Sequence, residues 1–129
     1  MSEKKLIFVV DDDPFILNLV KKRLEVQQYD VNAFQYGEEC LDQMYLNPDL
    51  VILDYLFFKH GEKVMNGMDI FEKIKEKYAH TPVIMLSAQD SGNIVLELAR
   101  KGIYDYVIKD HELMENLESA IQEIFRKEE

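Results

Sequence analysis

The chain has 129 residues, 47% hydrophobic and 31% charged, a make-up that suits one folded domain with a real core and excludes a disordered chain. A formal net charge of −10 argues against a face for nucleic-acid phosphates, and a single Cys40 excludes an internal disulfide or a cysteine zinc site. No apolar run is long enough to span a membrane, and the charged start Met1 to Lys5 runs straight into a strand-like segment instead of a secretion signal. The expectation is a single cytoplasmic domain over residues 1–129.

Leu6 to Val10 is a continuous apolar run that reads as a strand, and it ends in Asp11-Asp12-Asp13. Pro14 then opens a helix as a favoured first-turn residue, with Asp13 placed to cap it. Ile16, Leu17, Val20 and Leu24 recur at helical spacing through about residue 27. Asp30 to Phe34 alternates polar and apolar, as a half-covered edge strand does. Leu41, Met44 and Tyr45 follow Gly37 on a short helix ended by Asn47-Pro48. Leu50-Val51-Ile52-Leu53 is apolar throughout and ends in Asp54, the pattern of a strand buried on both faces.

Tyr55 to Gly67 is a longer, irregular connection that contains the adjacent Phe57 and Phe58. Ile70, Phe71, Ile74 and Tyr78 mark the next helix, and Thr81-Pro82 introduces a fourth strand, Val83 to Leu86, ending at Ser87. Asp90 or Ser91 is expected to cap a helix holding Ile94, Val95, Leu98 and Ala99, which Gly102 closes. Ile103 to Ile108 reads as strand five and ends at Lys109; Tyr104 and Tyr106, two apart, are expected on one face of it. Leu113, Leu117, Ala120, Ile121 and Ile124 give the last helix. Five strands alternating with five helices imply an α/β fold, a doubly wound parallel sheet with helices on both faces.

A parallel sheet puts all the strand ends on one rim, where ligands of open α/β sheets bind. That rim then gathers Asp11, Asp12, Asp13, Asp54, Ser87 and Lys109. Capping explains one aspartate of the first three and not all of them. Oxygen ligands without His or Cys select a hard cation, and few protein ligands with open positions suit magnesium. A carboxylate beside such an ion can take a phosphoryl group as an aspartyl phosphate. Lys109 and the ion would neutralise its oxygens, and the Ser87 hydroxyl would donate to one of them. His60, His80 and His111 are scattered and fit no metal spacing.

The motifs Val9-Val10-Asp11-Asp12-Asp13-Pro14, Pro48-Asp49-Leu50-Val51-Ile52-Leu53-Asp54, Asn66-Gly67-Met68-Asp69, Pro82-Val83-Ile84-Met85-Leu86-Ser87-Ala88 and Gly102-Ile103-Tyr104-Asp105-Tyr106-Val107-Ile108-Lys109 occur in that order. Together they closely resemble the receiver domain of two-component response regulators, over nearly the whole chain. The resemblance implies a flavodoxin-like sheet of strand order 2-1-3-4-5. It implies that Asp54 accepts phosphate from a sensor histidine kinase or a histidine phosphotransfer protein. It also implies that Asp11, Asp12 and Asp54 hold Mg2+ with the Leu56 backbone carbonyl. Ser87 and Tyr106 would be the switch pair that reports phosphorylation to a downstream protein over the fourth helix, fifth strand and last helix. Two departures stand out: residues Phe57 to Val64 lengthen the loop after Asp54, and Asp110 follows Lys109 where the family commonly has proline.

The expected function is a stand-alone receiver that switches partner binding or relays its phosphate, without direct contact to nucleic acid or membrane. Its only chemistry is its own phosphorylation and dephosphorylation. The alternatives are a pseudo-receiver used as a binding module, or a receiver fragment of a larger regulator or hybrid kinase. A dehalogenase-type phosphatase would place its acid at Asp13, two residues after Asp11, but Pro14-Phe15 breaks that pattern. A flavin carrier lacks its Ser/Thr/Gly-rich phosphate loop after strand one.

Overall fold

In the computed structural model, residues 4–55, 65–88 and 92–127 are described. Five strands, β1 (Leu6–Val10), β2 (Asp30–Phe34), β3 (Leu50–Asp54), β4 (Val83–Ser87) and β5 (Asp105–Ile108), form one parallel sheet in the order β2-β1-β3-β4-β5. The helices α1 (Pro14–Val26), α2 (Gly37–Gln43), α3 (Gly67–Lys77), α4 (Gly92–Arg100) and α5 (Leu113–Lys127) connect and follow them. This is the doubly wound, flavodoxin-like arrangement expected.

Alternation along the strands sends side chains to two separate cores. Ile7, Val9, Leu50, Ile52, Ile84, Leu86 and Val107 face α1 and α5, where Leu17, Val20, Leu24, Leu117, Ile121 and Ile124 are buried. Phe8, Val10, Val51, Leu53, Val83 and Met85 face the other way, against Cys40, Ile70, Phe71, Ile74 and Leu98 of α2 to α4 and Met44 just after α2. Every residue of β3 and β4 is buried, which is why these strands read as unbroken apolar runs. Each fully covered Leu, Ile or Val adds about 1.5–3 kcal/mol, so the central strands are the most firmly fixed part of the frame.

The structure corrects several local expectations. β5 begins at Asp105 and not at Ile103, because the Ile103 N–H is taken by the Leu98 carbonyl at the end of α4. Tyr104 therefore precedes the strand and packs toward α5, while Tyr106 packs with the opposite core, so the two tyrosines do not share a face. The helix after Gly37 tightens into a 3-10 turn at Met44–Leu46, which leaves Met44 buried and turns Tyr45 outward. In α4 only Leu98 is buried, Ile94 and Val95 are half-buried and Ala99 is exposed. Gly102 closes that helix with φ +90°, a conformation that favours glycine. The expected caps Asp90 and Ser91 lie outside the described residues.

Candidate functional site

The site is made where the connections diverge. From β1 the chain goes outward to β2, then crosses back over β1 to β3, so the exits of β1 and β3 lie side by side at the switch point of the sheet. Their carboxyl ends deliver Asp11 and Asp54. The Asp11 N–H donates to the Phe34 carbonyl at 3.0 Å, the Tyr55 N–H to Leu86 at 2.8 Å and the Lys109 N–H to Ser87 at 2.8 Å. These backbone bonds carry the sheet pairing past the strand ends, so the chemical side chains start from a rigid edge.

One oxygen from each of Asp11, Asp12 and Asp54 lies within 4.8 Å of the others. Asp11 is fully buried, Asp54 is 4% exposed, and Asp12 is half-buried. Lys109 Nζ stands 2.7 Å from Asp11 Oδ2 and 3.0 Å from Asp54 Oδ1, bridging the two. Asp11 Oδ1 accepts from the Asp13 N–H at 2.9 Å. Asp11 Oδ2 is buried and meets the Lys109 ammonium. Asp13 points away from this group: it is exposed, and its Oδ1 caps α1 by accepting from the Phe15 N–H at 2.9 Å.

Crowding buried carboxylates together has an electrostatic consequence. Burial, and then the negative charge of Asp11, push the Asp54 carboxyl up to about 7; Lys109 pulls the other way and Asp12 adds to the rise. The Asp11 carboxyl is raised as well, chiefly by burial, against the lowering contacts of Lys109 and the Asp13 amide. Burial works against the Lys109 ammonium, but its contacts with Asp11 and Asp54 more than offset this, and its pKa is raised. Lys109 thus bridges two of the three grouped carboxylates. An oxygen-only donor set of three grouped carboxylates, two of them buried, fits a hard divalent cation.

Ser87 is buried at the end of β4, one residue beyond the Asp54↔Leu86 pair. Tyr106 is half-buried on β5, packed against the core of α2 to α4. Leu56 and the Phe57–Val64 stretch lie outside the described residues. His80 and His111 are exposed, and Cys40 is buried with its thiol pushed up to about 12 by burial, so it is inert packing. No local feature of the sequence marks Glu38, whose Oε2 accepts from the Met65 N–H at 3.2 Å across 27 residues. Gly67, part of the Asn66-Gly67-Met68-Asp69 motif, donates its N–H to the Tyr55 carbonyl at 2.8 Å, and an added Cβ would stand 2.3 Å from the Asp54 carbonyl oxygen.

A family model described as the response regulator receiver domain matches residues 7–122. The chain belongs to the response regulator receiver family. This receiver is 36% identical over 113 residues to the heme response regulator HssR of Staphylococcus epidermidis, a match covering 84% of this chain and 46% of HssR. It is 28% identical over 122 residues to the transcriptional regulatory protein TrcR of Mycobacterium tuberculosis, covering 94% of this chain and 45% of TrcR. Among solved structures it is similar to the response regulator DrrB, a Thermotoga maritima OmpR/PhoB homolog, with TM-score 0.84 and 30% identity over 98% of this chain and 55% of DrrB. The receiver spans about half the length of these relatives. No helix among the described residues is long and apolar enough to cross a membrane.

Proposed function

We propose that residues 1–129 act as one receiver domain, in which Asp54 accepts a phosphoryl group from a sensor histidine kinase or a histidine phosphotransfer protein. The observation that carries this reading is the Asp54 carboxylate itself, buried at the end of β3, 3.0 Å from Lys109 and grouped with Asp11 and Asp12. In the step, an Asp54 carboxylate oxygen forms a bond to phosphorus as the phosphohistidine N–P bond breaks. The leaving imidazole nitrogen takes up a proton from solvent. Lys109 holds its charge against the transferred oxygens, and the Ser87 hydroxyl donates to one of them.

Asp11, Asp12 and Asp54, with the Leu56 carbonyl, are the residues that would hold Mg2+. When bound, the ion supplies the positive charge that a phosphoryl group needs at a site already rich in carboxylate. Asp13 is left to its helix cap. Ser87 and Tyr106 are the proposed switch pair, and a downstream protein target is proposed for the face formed by α4, β5 and α5. The acidic composition supports a protein partner over nucleic acid. The intact Asp54, Lys109 and Ser87 set favours a working phosphoacceptor over a pseudo-receiver.

Intact-mass spectrometry after incubation with acetyl phosphate and magnesium tests this. The expected result is a gain of one phosphoryl group, lost in Asp54→Asn and in chelator. Undiminished labelling of Asp54→Asn, or of the unaltered protein in chelator, overturns the assignment. No gain from either acetyl phosphate or a phosphorylated histidine phosphotransfer protein turns the reading to a pseudo-receiver.

A further inference from the structure

Glu38 lies in the first turn of α2, where acidic side chains are common as caps. That work is already done by Glu39, whose Oε1 accepts from the Tyr36 N–H at 3.3 Å. Glu38 turns instead toward the far end of the connection that follows Asp54. Its Oε2 accepts from the Met65 N–H at 3.2 Å in a partly buried position. Its Oε1 is buried with no hydrogen-bond partner among the described residues. Holding a carboxylate oxygen out of water without a donor is costly, so capping and solvation do not explain this placement.

From Met65 a short, stiff path leads to the phosphoacceptor. Asn66 caps α3 by accepting from the Asp69 N–H at 2.9 Å, which fixes the turn. The next residue, Gly67, donates to the Tyr55 carbonyl at 2.8 Å. It sits against the backbone there so closely that a Cβ would come within 2.3 Å of the Asp54 carbonyl oxygen and 2.7 Å of Tyr55 Cα. Gly67 thus rests on the backbone of the phosphoacceptor, and Glu38 holds Met65, two residues before it, from α2.

We infer that Glu38 is a positioning residue for the carboxylate cluster: through the Met65 amide it fixes the returning chain against Asp54 and so sets the affinity of the site for a divalent cation. This rests on the proposed phosphoacceptor reading. Without the bond, the returning chain samples positions in which the site is not assembled. Apparent cation affinity then falls by the fraction of time the site is complete, while the step within an assembled site is unchanged.

The test is a magnesium titration without any phosphoryl donor, followed by the amide signals of Tyr55 and Gly67 in NMR spectra. In Glu38→Ala the half-saturating magnesium concentration rises about tenfold or more, the effect of one lost hydrogen bond to a charged acceptor. In Glu38→Gln, which keeps a carbonyl oxygen for the Met65 N–H, it stays within about twofold. At saturating magnesium, Glu38→Ala takes phosphate from acetyl phosphate at the same rate as the unaltered protein. Hydrogen exchange at the Met65 and Gly67 amides, measured without metal, speeds up in Glu38→Ala and not in Glu38→Gln. An unchanged titration in a folded Glu38→Ala protein overturns the inference, as does Glu38→Gln behaving like Glu38→Ala, which would make charge and not the hydrogen bond responsible. If the unaltered protein takes up no magnesium, the phosphoacceptor reading fails, and unchanged exchange at Met65 and Gly67 then removes the Glu38 contact as well.

Discussion

Two aspartates bracket the same strand, Asp49 just before β3 and Asp54 at its end, and they differ in what completes them. Asp49 Oδ2 accepts from the Leu6 N–H at 2.8 Å while its own N–H donates to the Leu6 carbonyl at 2.7 Å. It ties the start of β1 to the start of β3, and its charge is directed at a backbone amide. Asp54 faces Lys109 and two further carboxylates, and its carboxyl is pushed up to about 7. A carboxylate that finds an N–H at the entering rim is architecture. A carboxylate kept from water among like charges at the exit rim suits the cation and phosphoryl roles proposed for it.

The comparison breaks most visibly if the counter-charge at the exit rim is removed. The Lys109 ammonium touches both Asp11 and Asp54, and Met preserves much of the side chain's length. Lys109→Met should slow phosphorylation by acetyl phosphate about a hundredfold at saturating magnesium, the effect of losing one preorganised donor to a transferring group. The rate of mass gain measures this. A rate within about twofold of the unaltered protein would show that Lys109 only balances resting charge.

The same contrast explains which parts of the molecule are legible in its sequence. β3 and β4 are buried on both faces, so they leave long apolar runs whose terminal Asp54 and Ser87 stand out. The edge of the sheet is less legible. β5 is short and half-exposed, and its start depends on whether the Ile103 N–H goes to the sheet or to α4, a competition that period-two counting does not register. The expected four-residue stripe of α4 reduces to Leu98 because that helix covers little of the sheet. At the site, Asp11 and Asp54 are visible from their strands, and Asp13 from its proline. Glu38 is not, because its partner lies 27 residues away and neither residue is unusual in its own surroundings. Asp49 appears in the sequence only within the Pro48 to Asp54 motif, since a side chain that accepts from a neighbouring strand leaves no local trace.

A second way to sharpen the contrast is pH. The Asp54 carboxyl is raised from 3.8 to about 7 in the metal-free protein, first by burial and then by Asp11. The folded protein therefore holds a proton that the unfolded chain has released between about pH 4 and 7. Over that window Asp54 lowers the stability of the metal-free protein as pH rises, the reverse of a carboxylate with a depressed pKa. Asp54→Asn should flatten that part of the stability profile. A cation must displace the same proton, so magnesium affinity should fall by up to about tenfold for each pH unit below about 7 and level off above it. The raised Asp11 carboxyl steepens the lower part of the curve. Calorimetric titration at several pH values checks this, and an affinity flat from about pH 5 to 8 would contradict the charge crowding described for the exit rim.

The smallest expected effect belongs to the other aspartate and is the most discriminating. Asp49→Ala removes the acceptor for the Leu6 N–H and leaves that amide partly buried without a partner, a loss of about 1–2 kcal/mol in denaturant unfolding. Phosphorylation by acetyl phosphate should stay within about twofold, because the strand ends that carry Asp11 and Asp54 are held by pairing further along, through Val10↔Leu53 and Asp54↔Leu86. A large loss of phosphorylation with little loss of stability would mean that the two rims are mechanically coupled through β3. The distinction between a structural and a chemical aspartate would then be one of degree. The expected outcome, stability moving without chemistry, makes it one of kind, set by whether the carboxylate is grouped with other carboxylates at the exit rim.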